Sequence, residues 1–213
     1  MKSIKAKNNE YDWAIFATSY LQLANLACQE LLDNRANKHN KAKVKPFNIP
    51  YKPQDLFVAI LFNIKHGIEI FIKTLSIFAY GEYEEGHDIH DLFQAVKKKV
   101  KVLKINPIKK GSNEIKQTDI DSLYDDLDKM EELINYFYTL DLLKDKIGKH
   151  YTINDIQNDI FRYPDNKASV CLDWDAILDS QINDADIRQV QGKLDQIYKL
   201  FCKRGYFFAV LSE

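Results

Sequence analysis

Apolar residues recur every three or four positions through five long segments of the chain, and each segment predicts an amphipathic helix. The predicted helices cover about residues 11–32, 54–80, 88–102, 118–146 and 183–201, the last extending towards residue 209. The second segment is apolar on more than one face, so we expect it to be central. The pattern predicts an all-α, single-domain helical bundle of about five to six helices, with a loop-rich segment before the last helix.

Length and composition agree with one folded domain. The chain has 213 residues, of which 46% are hydrophobic and 29% charged, enough to bury a sizeable core. The 30 Lys and Arg residues nearly balance the 31 Asp and Glu residues. This balance excludes a uniformly basic nucleic-acid binder and an acidic solvating tail. The 7 glycines and 5 prolines argue against a glycine-rich phosphate cradle and a many-turned β-sandwich.

Cysteine usage and hydropathy indicate a cytoplasmic protein without a membrane span. Cys28, Cys171 and Cys202 form no C-x-x-C pair, which argues against a zinc ribbon and a disulfide framework. The basic residues at the N-terminus are not followed by an apolar stretch, so we expect no signal peptide. The longest apolar stretch, residues 56–80, is interrupted by charged residues and is too polar for a plain membrane span.

Charge is segregated along the chain although the total is close to zero. Lysines dominate residues 97–116, and residues 35–52 carry basic residues with no acid between them. A solvated helix face with a charged loop is one interpretation, and a contact surface for an RNA or DNA backbone is the other. The lysines lack interleaved aromatic residues, so base stacking would have no platform there.

Polar residues inside the apolar second helix form the most distinctive pattern. His66, Glu69 and Lys73 share one helical face, and the order of Glu69 and Lys73 favours an ion pair. Just beyond the following turn, His87 and His90 are again one helical turn apart. Glu69 with the three histidines would suit Zn or Fe, but di-metal bundles repeat Glu-x-x-His on two helices. We therefore expect no metal and no other cofactor.

A purely structural interpretation of the same residues is also open. In that interpretation Asp88 caps the third helix, while Glu69 and Lys73 pair at a seam between helices. No G-x-S-x-G elbow and no phosphate-binding lysine in a glycine-rich context is present in the sequence.

Three strings of the sequence resemble HEPN-type helical domains. KHGIEIFIKTL at residues 65–75 and GHDIHDLF at residues 86–93 are similar to the paired helix signature of that superfamily. FRYPD at residues 161–165 resembles an Arg-Tyr-Pro turn that some members carry before the final helix. The resemblance follows the helix order over about residues 11–205 and implies one HEPN-like domain over residues 1–213.

The resemblance implies a homodimeric bundle that acts in toxin–antitoxin, abortive-infection or other anti-phage systems. Many HEPN domains are metal-independent ribonucleases with an Arg-x(4–6)-His motif, in which Arg stabilises phosphate charge and His moves a proton. This chain departs from that motif, because no histidine follows position 150. The nearest match, Arg35 with His39, has only three residues between the two side chains.

The candidate site is therefore the junction of the second and third helices. His87 and Arg162 are the candidate catalytic residues, with Arg162 reaching the junction from the Arg-Tyr-Pro turn. The candidate ligand-binding residues are His66, Glu69, Lys73, Asp88 and Tyr163. We expect a non-catalytic module that binds RNA or a protein partner such as an antitoxin. A divergent metal-independent endoribonuclease using His87 and Arg162 is the alternative, and a purely structural, dimerising interaction protein is a further one.

Overall fold

A computed structural model describes residues 10–36, 55–110, 113–139 and 182–212 and confirms the all-α bundle. The loop-rich segment predicted before the last helix lies outside these described residues. The elements, in chain order, are α1 Glu10–Ala36, α2 Asp55–Tyr80, α3 Ile89–Val102, β1 Ile108–Lys110, β2 Asn113–Ile115, α4 Gln117–Asp121, α5 Leu123–Tyr138 and α6 Asp184–Ser212.

Helix α2 is the central element of the described bundle, as the sequence predicts. It contacts α1, α3, α5 and α6. Apolar side chains on several of its faces are almost completely buried, namely Phe57, Ile60, Ile64, Ile68, Ile72 and Leu75. Despite this apolar character, none of the described helices combines the length and hydropathy needed to cross a bilayer.

Helices α1 and α2 approach each other closely at Gly67. A Cβ atom at this position would lie 2.6 Å from Leu21 Cδ2 and 3.2 Å from Tyr20 Cβ. Both distances are shorter than comfortable van der Waals contact, so only glycine fits without displacing α1. The close approach also brings the ring of Tyr20 to 4.6 Å from the ring of His66, in an edge-to-face arrangement.

The short hairpin after α3 differs from the surface loop predicted around residues 106–113. Strands β1 and β2 are antiparallel, with Ile108 opposite Ile115. Ile115 is buried, and β2 contacts α6. The burial of this one side chain against a distant helix gives the segment its order, which a local sequence pattern does not reveal.

The single helix predicted over residues 118–146 is wrong within the described residues, because Ser122 separates α4 from α5; residues 140–146 of that prediction lie outside the described part of the chain. The break coincides with contacts from Arg204, which is fully buried. Arg204 donates hydrogen bonds to the carbonyl oxygen of Asp119 at 2.9 Å and to Ser122 Oγ at 2.8 Å. Its Nε donates to Asp126 Oδ2 at 2.8 Å. Asp119 is among the last four residues of α4, whose carbonyl oxygens lack donors within the helix, and Arg204 supplies a donor to it.

Gly67→Ala and Gly192→Ala form a matched pair that tests the α1–α2 contact. Gly192 lies within α6, and a Cβ there would meet nothing within 4 Å. We expect Gly192→Ala to stabilise the protein by about 1 kcal/mol through helix propensity. The free energy of unfolding of Gly67→Ala should be about 1–3 kcal/mol lower than that of Gly192→Ala, because the added methyl group crowds Leu21. Urea unfolding measures both, and equal effects would contradict the close contact.

Asp126→Asn tests the buried ion pair at the α4–α5 break. The substitution leaves the Arg204 guanidinium buried without a carboxylate, which costs about 3–5 kcal/mol. The exposed neighbouring carboxylate provides the control, and Asp125→Asn should change the free energy of unfolding by less than about 0.5 kcal/mol. Similar small losses in the two variants, measured by chemical unfolding, would show that the pair does not hold the break.

Candidate functional site

The side chain of Glu69 is the centre of the polar cluster on α2. It is only 4% exposed, and its Oε1 accepts from Lys73 Nζ at 2.8 Å. His87 Nδ1, from the turn before α3, lies 2.9 Å from the same oxygen. His66 Nδ1 lies 3.9 Å from Glu69 Oε2. The structure thus brings together four of the residues that the sequence nominates.

Electrostatics keep Glu69 ionised and thereby orient His87. Burial alone would raise the pKa of Glu69, but hydrogen bonds from His66, Lys73 and His87 and the charge of Lys73 lower it to about 2. An ionised carboxylate can only accept, so His87 Nδ1 must donate. In the neutral ring the proton acceptor is then Nε2, and the His87 side chain is 55% exposed. A carboxylate that fixes an accessible imidazole is an arrangement suited to proton transfer.

Asp88 and His90 contact α5 instead of Glu69. Asp88 is the N-cap of α3 and accepts from the backbone N–H groups of His90 and Asp91, which confirms the predicted cap. Its second oxygen accepts from Tyr138 at 3.2 Å. His90 Nδ1 lies 2.7 Å from Asn135 Oδ1, and its ring stacks on Tyr138. Both residues therefore anchor α3 to α5.

The placement of His90 separates it from the other proposed metal ligands. In the described part of the chain, no group of three or more His, Cys, Asp or Glu side chains is arranged to hold a metal ion. Arg162 and Tyr163 lie outside the described residues, so their approach to His87 stays a prediction.

An aromatic cleft, which the sequence analysis missed, lies beside the cluster. We define it by Trp13 and Phe16 of α1, Ile70 of α2 and Tyr83 of the turn after α2. The rings of Trp13 and Tyr83 are 5.2 Å apart, and Lys73 Nζ lies 6.0 Å from the centre of Tyr83. Trp13, Phe16 and Ile70, with Asp12, line a cavity of about 340 Å³.

The exposure of Phe16 explains why sequence reasoning missed the cleft. Its side chain is 62% exposed, although its spacing places it in the apolar pattern of α1. Trp13, Phe16 and Tyr20 are three and four residues apart, so they share one side of the helix. That spacing could have indicated an aromatic cleft lining. Apolar periodicity alone, however, does not distinguish side chains that line a cleft from side chains that are buried in the core.

Part of the basic segment at residues 97–116 is neutralised by neighbouring acids. Lys97 is buried and pairs with Asp128 and Glu131 of α5. Lys99 pairs with acids of the turn after α2, including Glu82 at 3.2 Å. These pairs weaken the interpretation of the segment as a nucleic-acid surface, because paired lysines release fewer counterions from a phosphate backbone.

Comparison with known proteins gives no guide to function, so a functional proposal depends on the geometry of the site. No protein-family model, curated protein or solved structure matches the chain. The HEPN-like resemblance therefore stays a prediction.

Glu69→Gln tests the charge state of the cluster. Because folding lowers the pKa of Glu69 from 4.5 to about 2, its contribution of about 3 kcal/mol is present above pH 4.5. That contribution is lost as the pH falls from 4.5 towards 2. Wild type should therefore be more stable than Glu69→Gln at pH 7. This difference in the free energy of unfolding should disappear as the pH falls towards 2.

Unfolding by urea at several pH values between 7 and about 2.5 measures the difference, since other carboxylates titrate equally in both proteins. The exposed Glu132→Gln variant should follow wild type throughout. A difference that stays constant over this range would show that Glu69 is not ionised in the folded protein.

Proposed function

We propose that the protein binds single-stranded RNA in the aromatic cleft, with His87 facing the backbone of the bound strand. The observation that carries the proposal is that Lys73 joins the two features: its Nζ pairs with Glu69, which also holds the half-exposed His87, and lies 6.0 Å from the ring of Tyr83 in the cleft. Unpaired bases stack on aromatic side chains, and each stacked base contributes about 1–3 kcal/mol.

The lining of the cleft favours stacking without base selection. Phe16, Trp13 and Ile70 are apolar or aromatic, and Asp12 is the one charged residue that lines the described cavity. Every base offers a π-face to an aromatic wall, whereas base choice requires several polar groups at fixed positions. A duplex cannot use the cleft in this way because its bases are already stacked.

The HEPN-like resemblance supports RNA as the strand and a bacterial defence or toxin–antitoxin system as the setting. Within this proposal the protein is homodimeric, as the resemblance implies, and cytoplasmic, as cysteine usage and hydropathy predict.

Metal-independent RNA cleavage is a second candidate function, favoured by the hydrogen bond between His87 and Glu69. His87 Nε2 would accept the proton of a ribose 2′-hydroxyl as that oxygen attacks the adjacent phosphorus atom. The bond from phosphorus to the 5′-oxygen breaks, and the proton passes to this leaving oxygen. The products are a 2′,3′-cyclic phosphate and a 5′-hydroxyl. Arg162 is the cation that this candidate predicts beside the phosphate.

Fluorescence anisotropy with a labelled single-stranded RNA of mixed sequence tests binding in EDTA. We expect Phe16→Ala to weaken binding by about fivefold or more, since it removes one stacking platform. Val102→Ala is the matched control, because Val102 is 77% exposed and lies on α3, which contributes none of the residues that define the cleft. An RNA hairpin with a fully paired stem should bind more weakly. Equal affinities for wild type and Phe16→Ala would overturn the proposal.

Product analysis of the same mixtures separates binding from cleavage. EDTA-resistant products that disappear in His87→Ala, but not in the exposed Lys199→Ala control, would establish the ribonuclease candidate. Binding of intact RNA by wild type, with no products, would establish a non-catalytic module. Neither binding nor products would reject both functions.

A further inference from the structure

Helix α1 has an apolar face that the described part of the bundle leaves exposed. Its inner face is buried against the rest of the bundle through Ala17, Leu21, Ala24, Cys28, Leu31 and Leu32. On the opposite side, Tyr11, Ile15, Leu23 and Leu26 are 60%, 63%, 55% and 66% exposed. We call these four residues the outer face. At about 100° per residue they occupy a sector of about 120°, as wide as the apolar stripe of a typical packed helix.

Four large apolar side chains exposed in one sector of a single helix are typical of an interaction site. A second cavity, of about 380 Å³, adjoins the edge of the outer face at Tyr11. Its lining includes Ala14 and Thr18 of α1 and Phe201 and Tyr206 of α6. This second cavity provides a recess beside the first half of α1 that could accept a bulky side chain.

Charge identifies the kind of partner that fits. Residues 10–34 contain no lysine and no arginine. Asp12 lies near the beginning of the outer face, while Glu30 and Asp33 lie near its end, in the same angular sector. The 18 residues between Asp12 and Glu30 correspond to about 27 Å along the helix axis. The apolar stripe is therefore bounded by negative charge at both ends, with the neutral Ser19 and Gln22 between them.

We propose that the outer face binds an amphipathic helix of a partner protein that carries basic residues at both ends of its apolar stripe. Apolar burial would supply the affinity, and the end charges would set the partner and its register. A second copy of this chain fits less well, because its outer face would bring acidic ends against acidic ends in either orientation. The proposal rests on the outer face and does not require RNA binding; Asp12 is shared, because it also lines the cavity of the aromatic cleft.

Anisotropy of a synthetic amphipathic helix of about 20 residues tests the proposal on the full chain. The probe carries leucines on one face and lysines at both ends, and a matched probe has glutamates in place of the lysines. We expect the lysine probe to bind at least tenfold more tightly, with an advantage that shrinks between about 0.05 M and 0.3 M salt. Equal binding of the two probes, or no binding of either, would overturn the proposal.

Two sets of variants locate the binding surface. The double variant Ile15→Ser and Leu26→Ser should lose at least tenfold in affinity for the lysine probe, whereas Val102→Ser should bind like wild type. The charge variant Asp12→Asn with Asp33→Asn should remove most of the preference for lysine and leaves every apolar side chain in place. It therefore decides the matter if the serine variants unfold.

Light scattering examines the second-copy alternative. A stable dimer that becomes a monomer in Ile15→Ser with Leu26→Ser would overturn the proposal in favour of self-association. An oligomeric state that the two substitutions leave unchanged supports a heterologous partner.

Discussion

Glu69 places a negative charge on α2, the central helix of the described bundle, and the polar contacts around α2 compensate for this buried charge. A carboxylate removed from water is costly unless it is paired and hydrogen-bonded. Lys73, one turn further along the same helix, supplies the balancing charge. His87 must come from another segment, so the turn between α2 and α3 has to return over α2. The cap at Asp88 then begins α3 immediately, and α3 packs against α5.

A second buried ion pair of the described bundle is enclosed by the fold, whereas the Glu69 cluster includes an exposed member. Arg204 and Asp126 meet between α6 and α5, and the guanidinium is completely enclosed. Its hydrogen bonds end on Asp126, a backbone carbonyl and Ser122, which are parts of the fold. In the Glu69 cluster, by contrast, one member is half exposed and has a ring nitrogen available for a ligand. A buried charge whose partners are all enclosed indicates a structural role. A buried charge in contact with an exposed titratable group is typical of a functional site.

Sequence patterns predict those features of the fold that depend on residues close together in the chain. The helices of the described bundle follow from apolar periodicity, and the Asp88 cap and the Glu69–Lys73 pair follow from spacings of three or four residues. The His87–Glu69 contact spans 18 residues, yet it was predictable because only a short turn separates the two segments.

Contacts that depend on distant segments were not predictable in this way. Arg204 occupies a position between Phe201 and Phe208 where the spacing calls for a buried apolar residue, and a cation there is normally assigned to the surface. Its partner Asp126 is 78 residues away, so nothing local indicates the pair or the break at Ser122. For α1, apolar residues surround much of the helix, and periodicity cannot decide which of them face the core.

Helix α1 directs different apolar side chains to the core, to the cleft and to solvent, and this division gives the helix more than one role. Its inner face contributes to stability, the side that carries Trp13 and Phe16 forms the cleft, and the outer face carries exposed apolar residues bounded by acids. Substitutions on the inner face therefore change folding and every other property together. Substitutions at exposed positions remove little buried area, so their effects on stability should be small. A helix built in this way can change its ligands without changing the fold, because binding and folding depend on different side chains of the same element.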